Sequence, residues 1–168
     1  MSRSSQFEHA NPRLIVITGG EPFRQSIGPL VNLLLNEGWR VQIETNGTLA
    51  PAGFKIADLS AGQLTVVCSP KTGKLDRQLL PYIGAFKYVI NADDVDPEDG
   101  LPRHVLGHPA NPKVARPPAG VSRRNMYVQP ADEQDENKNT QNLEAAMDSS
   151  FRFGYTLCLQ THKTLNLP

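Results

Sequence analysis

The sequence predicts an α/β fold of mostly parallel strands, and three observations carry that prediction. Short apolar runs rich in Val, Ile and Leu recur along the chain at the length of buried parallel strands. A helical apolar pattern separates the first two runs, as a βαβ unit requires. Nearly every run is followed at once by a polar cluster, the arrangement found where parallel strands end and ligands bind.

Taken in order, the strands are expected at Leu14 to Thr18, Val41 to Glu44, Leu64 to Ser69, Phe86 to Ile90, Met126 to Gln129 and Tyr155 to Gln160. Between the first two, Ile27, Leu30, Val31, Leu34 and Leu35 recur at helical spacing, and Gly38 follows as a helix stop. A second helix is expected from Asn139 to Ser149, with Asn139 as its N-cap and Leu143, Ala146 and Met147 on one face. Residues 91–124 hold six prolines and little apolar periodicity, which predicts a long surface excursion within the domain. Its acidic start is not a calcium loop, because counting from Asp94 puts Asp99 where that loop needs its turn glycine.

At 168 residues the chain is expected to form a single domain with one core. Lys and Arg together number 17, equal to Asp plus Glu, so no charge excess points to nucleic acid or an anionic membrane. A small or medium-sized ligand is the expected partner. No run approaches the roughly 20 apolar residues of a membrane span, and the first thirteen residues lack the hydrophobic core of a secretory signal. The sequence therefore reads as cytoplasmic. Cys68 and Cys158, its two cysteines, sit in apolar runs and read as small core hydrophobes.

Five polar clusters follow the strands: Thr18-Gly19-Gly20-Glu21-Pro22, Glu44-Thr45-Asn46-Gly47, Ser69-Pro70-Lys71, Gln129-Pro130-Ala131-Asp132 and Gln160-Thr161-His162-Lys163. Gly19 and Gly20 remove two side chains at a strand end, so that main-chain groups can approach a ligand closely. Glu21 adds a carboxylate, and a ligand ammonium would fit this edge. Glu44 is expected either to bind ribose hydroxyls or to cap the Asn46-Gly47 turn.

Gly19-Gly20-Glu21-Pro22 after an apolar strand resembles the motif by which radical-SAM enzymes hold the methionyl amino group of S-adenosylmethionine. Ile43 to Gly47, Cys68 to Lys71, Val128 to Pro130 and Leu159 to Pro168 are similar, in order and approximate spacing, to 7-carboxy-7-deazaguanine synthases. The resemblance runs from about Arg13 to the last residue. It implies an incomplete (β/α) barrel of radical-SAM type whose first βα units are missing. It also implies a lyase acting on 6-carboxy-5,6,7,8-tetrahydropterin, releasing ammonia and giving 7-carboxy-7-deazaguanine, a step toward queuosine in tRNA. The implied cofactors are S-adenosylmethionine, a 4Fe–4S cluster and magnesium. Carried over residue by residue, Gly20, Ser69, Pro70, Lys71, Gln129, Pro130, Ala131 and Asp132 would contact S-adenosylmethionine. Thr18 and the α-carboxylate of Pro168 would contact the pterin.

The sequence departs from this pattern in one respect. Family members hold their cluster through a closely spaced trio of cysteines ahead of the Gly-Gly-Glu-Pro strand, and Cys68 and Cys158 cannot replace it. The cluster ligands are thus expected to be absent, as are the magnesium ligands, which the resemblance places on the missing first βα units, and activity of the chain alone is doubtful. A truncated gene product, a split enzyme and a decayed homologue stay open, as does a homodimer or a second polypeptide supplying the cluster loop. The alternative function is a non-catalytic module that binds S-adenosylmethionine or the pterin.

Overall fold

The computed structural model describes residues 14–53, 62–105 and 113–161. Its elements are β1 (Leu14–Ile17), α1 (Gly28–Asn36), β2 (Arg40–Thr45), β3 (Leu64–Cys68), β4 (Ile83–Ile90), β5 (Met126–Pro130), α2 (Glu136–Phe153) and β6 (Thr156–Leu157), with short 3-10 turns between some of them. The strands form one sheet in sequential order, and every pairing is parallel. This is the α/β architecture of a partial barrel, with all six predicted strands present. The last is shorter than predicted, two residues long.

Alternation along the strands gives the sheet two different faces. Val41 and Ile43 on β2, Val66 on β3, Phe86, Tyr88 and Ile90 on β4, and Val128 on β5 are buried. Two apolar clusters cover this face, one holding Val31 of α1 and the other Ala146 of α2. β3 joins them, since Leu64 and Val66 belong to the first and Cys68 to the second. Cys68 is thus a core residue as predicted, while Cys158 is half-buried. On the opposite face the register brings together Gln42, Glu44, Val67, Lys87, Val89, Tyr127 and Gln129, which are mostly polar and, Val67 apart, half-buried. Leu14 and Val16 continue that face onto β1, where both are exposed.

α1 starts with Pro29 in its first turn and is followed by Gly38 at φ +79°, the stop that the sequence predicts. α2 begins earlier than expected. Its N-cap is Asp135, whose side chain accepts hydrogen bonds from the Asn137 and Lys138 amides at 3.0 and 3.1 Å. Asn139 lies inside the helix and reaches backward instead, accepting from the Glu133 amide at 2.9 Å and donating to Asp132 at 3.0 Å. Of the predicted apolar face Ala146 is fully buried, Leu143 is half-buried and Met147 is exposed.

The Pro-rich segment between β4 and β5 departs from its expected surface course. Leu101, Val114 and Ala115 are buried, and the Tyr88 hydroxyl donates to the Ala115 carbonyl at 2.8 Å. Three of the five carboxylates of the acidic start hold this packing: Asp94 accepts from the His104 amide and ring, Asp96 pairs with Lys113, and Asp99 pairs with Arg116 at 2.7 Å. Pro109 and Pro112 lie outside the described residues.

Candidate functional site

A cleft of about 270 Å3 opens over the carboxyl ends of β1 to β5, lined by Thr18, Gly19, Gly20, Glu44, Thr45, Asn46, Ser69, Lys71, Lys87, Val89 and Gln129. Four of the five polar clusters meet there because five parallel strands end at one level. Gly19 has φ +127°, a conformation that requires glycine, and a Cβ at either Gly19 or Gly20 would meet no atom within 4 Å. Neither glycine is there to relieve a clash within the described residues. Their main-chain edge faces open space, as an approaching ligand needs.

Glu21 does not face that space. It is buried, and its carboxylate accepts from the Phe23 amide at 3.1 Å, the Thr45 hydroxyl at 2.8 Å and the Asn46 amide at 2.7 Å. Both oxygens are spent on tying the end of β1 to the end of β2. The expectation that Glu21 supplies a carboxylate for a ligand is therefore corrected: the group is internal, and what the first cluster leaves open toward the cleft is the main chain of the glycines.

Glu44 neither caps the turn nor stands free. The turn is held by Thr45, which accepts from the Gly47 amide at 3.2 Å, and by Asn46, which accepts from the Thr48 amide and hydroxyl at 2.9 and 2.6 Å. Glu44 points into the cleft, pairing with Lys87 at 2.8 Å and accepting from the Gln42 amide group at 3.2 Å. Lys87 is the site residue that the sequence reading missed. Its signal is a lone lysine inside the apolar β4 run, and strand alternation places it on the face opposite Phe86 and Tyr88.

Lys71 lines the same cleft, and its pKa is lowered, first by loss of hydration and then by the nearby charge of Lys87. Beside it, Ser69 has a buried hydroxyl oxygen that finds no hydrogen-bond partner among the described residues. Such orphaned groups are rare and cost free energy unless a ligand or water satisfies them. Pro70 is buried beneath, in a smaller adjoining hollow that also reaches Lys87 and His104.

The remaining expected residues divide between the cleft and its surroundings. Gln129 lines the cleft together with Thr18, which is exposed at its rim. Pro130, Ala131 and Asp132 line a neighbouring groove with Asn139, Leu143, Leu159 and Gln160. Asp132 accepts there from the Gln134 amide and from Asn139. His162, Lys163 and Pro168 lie outside the described residues.

The donor set separates the expected cofactors. An adenosylmethionine-like ligand fits the open glycine edge and the orphaned Ser69 hydroxyl. A 4Fe–4S cluster does not fit these residues: the 168 residues contain two cysteines, and burial pushes the Cys68 thiol up to about 12. Among the described residues no group of three His, Cys, Asp or Glu side chains could hold a metal ion. Among the same residues, no helix is long and apolar enough to cross a membrane.

No protein-family model matches the chain. It is similar to the 7-carboxy-7-deazaguanine synthase of Rhodospirillum rubrum, with 49% identity over 92% of this chain and 65% of that protein. The protein of the same name from Rickettsia prowazekii is 36% identical over 92% of this chain and 59% of its own length. The chain thus spans about two-thirds or less of the curated relatives that it matches. Among solved structures, QueE from Escherichia coli superposes with a TM-score of 0.55 at 21% identity, covering 88% of this chain and 57% of that one. That likeness establishes the fold.

Proposed function

We propose that this relative of the 7-carboxy-7-deazaguanine synthases provides the ligand-holding part of such an enzyme. It would bind S-adenosylmethionine and 6-carboxy-5,6,7,8-tetrahydropterin for conversion to 7-carboxy-7-deazaguanine with loss of ammonia, a cytoplasmic step toward queuosine. The observation that carries the proposal is the meeting of Gly19-Gly20, Ser69, Lys71 and Gln129 over one set of strand ends. S-adenosylmethionine, cleaved reductively, supplies the group that abstracts a substrate hydrogen.

This chain's own residues bind and orient. The glycine edge takes the ligand ammonium through main-chain acceptors, and Ser69 and Lys71 stand ready for an anionic group on the same ligand. Pro130, Ala131 and Asp132 extend the cofactor site along the neighbouring groove, while Thr18 marks the pterin side at the β1 end and Pro168 is assigned to the pterin by resemblance. Holding both ligands over rigid strand ends supplies the proximity that the reaction needs.

The cluster thiolates would come from outside these 168 residues, which hold two cysteines, in a longer form of the chain or a second polypeptide, and among the described residues no group could hold the magnesium. Titration calorimetry on the chain alone is expected to detect S-adenosylmethionine binding without turnover. Co-expression with a fragment bearing the three-cysteine loop is expected to give turnover of the pterin. Absence of binding to S-adenosylmethionine and to the pterin would overturn the proposal. Binding without turnover in the co-expressed pair would favour the second reading, a non-catalytic binding module, which the two-cysteine composition motivates.

A further inference from the structure

The cleft holds two ammonium groups and one carboxylate, and their pairing decides which cation a ligand meets. Lys87 leaves β4 on the open face and is half-buried, so it needs a counter-charge to offset its lost hydration. Glu44 provides it at 2.8 Å, with side chains only 20% and 25% exposed. The other Glu44 oxygen accepts from Gln42, so the carboxylate is engaged on both sides. Lys71 lines the same cleft, and no hydrogen bond or ion pair engages its side chain among the described residues. It stands next to the one side-chain atom that is both buried and unpartnered among those residues, the Ser69 hydroxyl oxygen.

Resting on the adenosylmethionine reading of the cleft, we propose that Lys87 is a positioning residue: by occupying Glu44 it leaves Lys71 and the Ser69 hydroxyl available for the carboxylate of the ligand's amino-acid moiety. Without Lys87, the cation left to Glu44 in the cleft is Lys71, and their pairing would close the position that the ligand carboxylate needs. The lowered Lys71 pKa agrees with this geometry, since loss of hydration and the Lys87 charge both act on an ammonium that lacks its own anion. A ligand that brings a carboxylate supplies the missing charge. The specificity lies in the difference between an aminoacyl-bearing nucleoside and the same nucleoside without it.

The test compares S-adenosylhomocysteine, which has the amino-acid carboxylate, with 5′-methylthioadenosine, which lacks it, by calorimetry on the purified chain. The wild-type chain is expected to prefer the former. Lys87→Met is expected to cut that preference by roughly tenfold, the scale of one charge-assisted hydrogen bond. Lys87→Arg, which keeps the pair, is expected to retain the preference. The double variant Lys87→Met with Glu44→Gln is expected to recover it, because no carboxylate is left to capture Lys71. Glu44→Gln alone keeps both cations and is expected to match or exceed the wild-type preference, which covers the case in which Lys87→Met fails to fold.

An unchanged preference in Lys87→Met overturns the proposal, as does a fall in Glu44→Gln. A double variant as poor as Lys87→Met also overturns it, by showing that Lys87 touches the ligand itself. Equal wild-type affinity for the two nucleosides removes the proposal and leaves the adenosylmethionine reading standing. Failure of the wild-type chain to bind either removes both.

Discussion

The Glu21 carboxylate accepts the Thr45 hydroxyl at 2.8 Å across two parallel strand ends, and the same carboxylate takes the Asn46 amide at 2.7 Å. This clamp joins the glycine edge of the cleft to the turn that follows Glu44. Replacing Glu21 with Ala strands three donors, the Phe23 and Asn46 amides and the Thr45 hydroxyl, and leaves a cavity, at a cost of about 2–4 kcal/mol. Glu21→Gln keeps the shape and one acceptor and is expected to lose less. Urea unfolding of both variants checks the order; equal stability of Glu21→Ala and the wild type would contradict the clamp.

Two glycines in neighbouring turns should behave oppositely when changed to alanine. A Cβ at Gly20 meets nothing, so Gly20→Ala is expected to change stability by less than about 1 kcal/mol while weakening adenosylmethionine binding roughly tenfold or more. Gly47 has φ +86°, and a Cβ there would lie 2.5 Å from Leu75 Cδ2 and 2.8 Å from Cys68 Sγ. Gly47→Ala is expected to cost about 2–4 kcal/mol, from overpacking and backbone strain together. Melting curves and calorimetry separate the two outcomes.

Burial raises the Cys68 thiol from 9.0 to about 12, with the charge of Glu21 adding to the effect. Below pH 9 the thiol is neutral in both folded and unfolded chains, and the stability linked to it is fully present. As pH rises from 9 toward 12 the unfolded thiol ionises while the folded one keeps its proton, so that stability is lost. Tyr88, also raised by burial, adds a loss of the same sign at high pH. Cys68→Ala is expected to flatten the decline of stability with pH in this window relative to the wild type. In the native chain an aromatic disulfide reagent is expected to label half-buried Cys158 before Cys68.

The helix start offers a further check. Asp135→Ala removes the side chain that accepts from two orphan amides of α2 and is expected to cost about 1 kcal/mol. Asn139→Ala leaves that cap intact and instead removes the acceptor of the Glu133 amide and one of the donors to Asp132. Its effect is expected at the groove, read as weaker adenosylmethionine binding with the helix content by circular dichroism preserved.

Much of the fold was legible because period and punctuation are local. Runs such as Val66-Val67-Cys68 and Val89-Ile90 reveal strands, Gly38 stops a helix, and a polar cluster after nearly every run marks where a parallel sheet ends. The N-cap of α2 was misplaced because Asp135 and Asn139 both suit a cap, and only the amides that they reach distinguish them. The burial of Leu101 and Val114 in a Pro-rich segment was illegible for a similar reason, since their partners come from β4 and β5, distant in sequence.

The sequence by itself determined the parallel α/β class, the order of the strands and the residue types that arrive at their ends, because strand period and turn chemistry depend on near neighbours. Only the tertiary structure decided that Glu21 faces inward, that Glu44 pairs with Lys87, and that the Ser69 and Lys71 side chains stand in the cleft without a partner among the described residues. Those assignments depend on which face of a sheet a side chain leaves and on what lies across from it. Residues 43 positions apart, such as Glu44 and Lys87, meet only when the strands between them pair in register.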